Sequence, residues 1–137
     1  MGVHTKEVLV GTQTFSDEPD RAHFLRGLYM TVRRNQGPAI AKRLREVRLA
    51  LGLSQRELGV QAGMDPSVAS PRINQYERGK HLPDPLTLER LGRVLNCPLP
   101  FFYAADDAMA TVILGVHLAS GAQREQLLRL ATKIVNP

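Results

Sequence analysis

The side chains best equipped to meet a ligand cluster between Gln55 and Lys80. Ile73 and Tyr76, spaced i, i+3, take the inner face of a helix, which leaves Arg72 and Gln75 on the outer face. A glutamine amide carries donor and acceptor in one plane and matches the major-groove edge of adenine; a guanidinium matches guanine in the same way. Catalytic chemistry has no comparable support. His4, His23, His81 and His117 are scattered, with no ligand spacing to Cys97 or to paired carboxylates. Zinc patterns, phosphate-binding glycine loops and nucleophile elbows are all missing from the sequence. Asp106-Asp107 points to opposite sides of a helix start and reads as capping. The expectation is a non-enzyme with no metal and no cofactor.

The elements that must position Arg72 and Gln75 are legible from Leu51 to Gly79. Gly52 follows an apolar-periodic run and can close a helix in the left-handed conformation. Ser54 with Glu57 three residues on is a capping box, and Leu53 with Leu58 a hydrophobic staple. Ala62-Gly63 ends that helix within about two turns, and a third helix runs to a stop at Gly79. Two short helices joined by a small-residue turn form a helix-turn-helix, whose second helix is expected to enter the DNA major groove.

The words LGLSQREL, QAGM, INQYERGK and PDPLTLERLGRVLNCPLPFF, spread over Ile40–Tyr103, resemble the Cro/phage-repressor (XRE-type) class of helix-turn-helix transcriptional regulators. The resemblance implies an all-α, five-helix phage-repressor-like DNA-binding domain. It implies a base contact from Gln75 and a phosphate contact from Gln55, with Arg56 beside it. Arg78 and Lys80, with His81 next to them, fall where relatives grip the DNA backbone. The resemblance also pairs Arg48 with Glu77 in a structural ion pair that fixes one helix against another. The chain departs from the family at MDPSVASPRI, about four residues longer between the turn and Ile73 than in most relatives. Two start signals compete there, Asp65-Pro66 and Ser70-Pro71. A proline inside a helix lacks a donor and presses on an earlier carbonyl. A helix from Pro71 to Arg78 is therefore expected, with Asp65–Ser70 a longer turn or separate helical turn. A kinked continuous helix from Pro66 is the alternative. Ser67 and Ser70 are candidate phosphate contacts, and Asn74 a weaker candidate reader.

The chain has 137 residues, 43% hydrophobic and 23% charged, which suits a soluble chain with one modest core. No apolar run could span a bilayer, the N-terminus lacks the pattern of a cleavable signal, and the single Cys97 fits a reducing cytoplasm. The net charge of +5 is uneven: residues 39–80 hold eight Lys/Arg against four acids, and residues 81–107 two against four. Such a basic excess on the helix-turn-helix fits a polyanion partner. The first domain helix carries Ile40, Leu44, Val47 and Leu51 as an inner stripe, with Lys42, Arg43 and Arg45 expected to be solvated or near phosphates. Asp84-Pro85 caps a fourth helix to about Asn96, and Phe101 and Phe102 of a short fifth helix close the core.

Three regions are expected: a loosely ordered leader over residues 1–37, the DNA-binding domain over 38–104 and a helical extension over 105–137. In the leader, KEVLVGTQTF has strand character and Phe24–Val32 an amphipathic helical pattern, followed by the basic linker Arg33–Pro38. In the extension, Met109, Val112, Ile113 and Val116 form one stripe; Ser120 and Gln123 then cap a helix carrying Leu127, Leu128, Ala131 and Ile134. The preferred reading of the extension is a homodimerising hairpin, since regulators of this class bind paired half-sites as symmetric dimers. The sequence thus predicts a cytoplasmic regulator, a repressor above all, with double-stranded DNA and a second copy as partners and no membrane. The rival is a protein-interaction adaptor of the same fold, an antitoxin or coactivator-type bridge, docking its partner through the C-terminal helices.

Overall fold

The computed structural model describes residues 8–10, 13–15, 23 and 39–137. Within the strand-like leader segment, β1 (Val8–Val10) pairs antiparallel with β2 (Gln13–Phe15), Val8 opposite Phe15. The amphipathic stretch over 24–32 and the linker over 33–38 lie outside the described residues. Residues 39–137 are helical: α1 (Ala39–Ala50), α2 (Gln55–Gln61), α3 (Ala69–Glu77), α4 (Pro85–Leu95), α5 (Leu99–Tyr103), α6 (Asp107–Leu118) and α7 (Gly121–Val135).

Local chemistry sets most boundaries. Ser54 accepts from the Glu57 amide while Glu57 accepts from the Ser54 amide, and Asp84 caps α4 through the Thr87 amide at 2.9 Å. The Ser54 amide holds the Glu57 carboxyl below its ordinary range. Gly52 closes α1 at φ +69°, and Asn96 closes α4 at φ 51°. Burial then joins the elements. Leu44 and Val47 of α1, and Leu51 just after it, share a core with Leu58, Ile73, Tyr76, Leu88, Leu91, Leu95, Phe101 and Phe102, with the two phenylalanine rings edge to face at 5.4 Å. At the crossing of α2 and α3 there is no room for a side chain. A Cβ on Gly59 would lie 2.7 Å from Ala69 Cβ, so the helices meet backbone to methyl.

Two expectations change here. Lys42 and Arg43 are not solvated; both are buried, Arg43 to 1% exposure. The start of α6 packs on α1 and supplies their partners. Arg43 donates through Nε and Nη2 to the Ala104 carbonyl (3.1 and 2.7 Å), and Lys42 Nζ meets Asp107 Oδ1 at 2.9 Å. The Arg43 guanidinium also lies 5.6 Å from the Phe101 ring centroid, within cation–π range. Asp106 caps α6 as expected, through the Met109 amide, whereas Asp107 serves as an ion-pair partner.

The second change concerns the extension. Its α6 turns Ala110 and Leu114 into the core, rather than the larger Met109 and Val112, which stay 53% and 60% exposed. Alanine is too weak a marker of apolarity for that face to stand out in the sequence. By packing, α6 therefore adjoins the five-helix core, whereas none of the described residues of α7 is buried.

The hydrogen bond and charge of Lys42, aided by Arg43, depress the Asp107 carboxyl, against a smaller opposing effect of burial. A depressed acid contributes stability above its unfolded pKa and loses it as pH falls through the folded one. Asp107→Asn should therefore cost about 1–3 kcal/mol at neutral pH. The deficit should shrink as pH falls below the ordinary aspartate range near ~3.9. Urea melts of both proteins across acid pH measure it; a deficit that does not vary with pH would contradict the pairing.

Candidate nucleic-acid interface

One ion pair sets the frame. Arg48 on α1 donates from Nε and Nη2 to the two carboxylate oxygens of Glu77 at the end of α3, and from Nη1 to the Leu53 carbonyl at 2.8 Å. Both side chains are nearly dry, 9% and 3% exposed. Gln55, at the first position of α2, gives its amide Nε2 to Glu77 (2.9 Å) and to Asn74 Oδ1 (3.3 Å). The Gln55 side chain is thus engaged with Asn74 and Glu77 of α3. Sequence reasoning missed this bond, because nothing local distinguishes a glutamine that faces a phosphate from one that faces a glutamate.

The third helix begins at Ala69, two residues before Pro71. Asp65 accepts from the Ser67 amide (2.8 Å) and from its hydroxyl, folding Pro66–Val68 into a helical turn. The Ala69 amide then reaches the Asp65 carbonyl at 3.0 Å and runs that turn into α3. Neither Pro66 nor Pro71 marks the start. Pro71 sits in the first turn of α3, where a missing N–H is tolerated, and Ser70 is a helical residue, not a cap. Of the two serines assigned to phosphate contact, Ser67 is exposed but bonded to Asp65, and Ser70 is half-buried.

With Ala69, Ile73 and Tyr76 buried, α3 shows Arg72 and Gln75 to solvent. Arg56, Arg78, Lys80 and His81 are exposed around it. Arg45, on the outer side of α1, is exposed too and shares a cleft of about 380 Å³ with Gln55, Asn74 and Arg78. Of the three off-stripe cations of α1, only Arg45 reaches this surface. The site is thus an exposed polar face with cations around it, suited to an extended anionic surface. Among the described residues, no group of three or more His, Cys, Asp or Glu could hold a metal ion, and no helix is long and apolar enough to cross a membrane. Cys97 is buried, and burial pushes its thiol up to about 12, which keeps it unreactive.

The helix-turn-helix family model matches residues 44–102, from the α1 core stripe to Phe102. Among solved structures, the crystal structure of transcriptional regulator BswR is 38% identical, over 68% of this chain and 92% of that one, with a TM-score of 0.64. The chain belongs to the XRE-type helix-turn-helix family. No curated protein matches it. The helix-turn-helix match spans α2 and α3, and the coverage of BswR extends beyond the five-helix unit.

Breaking a buried pair on one side strands the other charge, at a cost of about 3–5 kcal/mol. Glu77→Ala should lower stability by that order, and Arg48→Ala likewise. Thermal melts of the two single variants and the double should show coupling of about 0.5–3 kcal/mol; additive losses would mean that the two side chains act independently.

Proposed function

We propose that this chain is a sequence-specific DNA-binding transcriptional regulator that lays α3 in the major groove of its operator and represses by occupying it. The observation that carries the reading is the outward pair Arg72 and Gln75 on a helix whose other face is fixed in the core and tied by Glu77. In this reading Gln75 bonds the adenine edge and Arg72 the guanine edge. Arg45, Arg56, Arg78 and Lys80 meet phosphates, along with the backbone start of α2 at Gln55. Ser67, Ser70 and Asn74 hold the turn and helix in place beside them.

The working unit is a homodimer. Leu127, Leu130 and Ile134 recur on one face of α7 at 39%, 58% and 71% exposure, and Met109 and Val112 extend the apolar surface on α6. Fully burying such a side chain returns about 1.5–3 kcal/mol, so a second copy covering several of them gains substantially. A two-fold dimer would set two copies of α3 roughly 34 Å apart on an inverted repeat. The bare face of α7 suits a protein partner as well, which keeps the adaptor reading distinct and testable.

Selection from random duplexes should yield an inverted repeat. Alanine at Gln75 or Arg72 should cost about 1–3 kcal/mol on it and relax one base position. Alanine at Lys80 should weaken all duplexes alike and lower the salt slope by about one. Equal binding of selected and scrambled duplexes would refute the regulator reading.

Assembly is checked separately. Sedimentation of the full chain at micromolar concentration should give a dimer, and polar replacements of Leu127, Leu130 and Ile134 together should give a folded monomer. A wild-type chain that sediments as a monomer would favour the adaptor.

A further inference from the structure

Val68 stands at the N-cap of α3, 40% exposed, and its side chain makes no capping bond. Polar residues that can accept from the first turn are favoured at such a place. The backbone of Val68 is already helical, at φ −116° and ψ −8°, and its carbonyl accepts from the Arg72 amide at 3.1 Å. The helical count therefore extends to it. Val68, Arg72 and Gln75 recur at i, i+4 and i+7 on one exposed face, about 100° round the helix from the buried Ala69, Ile73 and Tyr76. The neighbouring Ala69 is wedged against Gly59, so the position of Val68 is fixed by the crossing of α2 and α3. Val68 also lines a groove of about 280 Å³ with Met64, between the guanidinium-bearing Arg72 and Arg90.

A branched apolar side chain in line with two polar readers cannot bond a base edge. The one apolar group that the major groove displays is the 5-methyl of thymine. We propose that Val68 reads a thymine through that methyl, beside the base pair that Arg72 contacts. The inference rests on the DNA-binding reading above and adds a base position to it. It also gives the longer turn over Asp65–Val68 a role, because that turn is what carries an apolar side chain to the reading end of α3.

The test removes the methyl from the DNA as well as from the protein. On the duplex obtained by selection, each thymine of a half-site is replaced in turn by uracil, and dissociation constants are measured for the full chain and for Val68→Ala. One uracil should weaken the wild type roughly fourfold, the effect of burying a single methyl. The same uracil should leave Val68→Ala unchanged, and Val68→Ile should keep the preference for thymine. Matching melting curves check that the variants fold, and the uracil series on the wild type needs no variant. If uracil has no effect, or an equal effect in both proteins at each position, the inference is overturned while the selected site still supports DNA binding. Failure of selection itself overturns both.

Discussion

A guanidinium and a carboxylate, both almost wholly out of water, hold three elements of the helix-turn-helix together. Removing two charges from water is costly, and their attraction offsets that cost only when the remaining hydrogen-bonding positions are also filled. Here further bonds support the pair: Arg48 also donates from Nη1 to the Leu53 carbonyl, and Glu77 accepts additionally from Gln55. The pair thus links α1, the turn before α2, the start of α2 and the end of α3. The outer face of α3 inherits its direction from that network, so buried side chains govern how Arg72 and Gln75 are presented to solvent.

Two further buried cations of α1 work elsewhere. Arg43 and Lys42 bind the α5–α6 junction to α1 through Ala104 and Asp107, and Ala110 and Leu114 complete the seal. The sixth helix is therefore an integral part of the folded head, and the free surface begins with α7. At their far end, His117 Nε2 and Asn96 Oδ1 lie 3.0 Å apart, joining the last turn of α6 to the cap of α4. Burial, followed by the charge of Arg124, lowers the pKa of His117 and favours the neutral ring in that contact.

The features legible in the sequence are those decided within a few residues. Ser54, Asp84 and Ser120 cap helices because their partners lie three residues on, and Gly52 ends one because its own backbone permits it. The inner stripes of α1, α3 and α4 were legible for the same reason. What escaped depends on partners far along the chain. Lys42 and Arg43 looked solvated because the stripe of α1 was counted without the sixty-odd residues that later return to it. The start of α3 was misplaced because a proline in the first turn and a proline before it look alike in sequence. Only the bond from the Ala69 amide to Asp65 separates them. The outer face of α3 was legible in part: Arg72 and Gln75 stood out as polar and are exposed, while Val68 passed as an ordinary turn residue.

The contact between Gly59 and Ala69 divides the helix-turn-helix into two kinds of position. On the seam, any larger side chain collides with backbone or a methyl, so change there requires a simultaneous answer from the other helix. On the outer face, Val68, Arg72 and Gln75 are exposed to solvent. A lineage built on this scaffold can change its outer face by single steps, while the inside remains closed to drift.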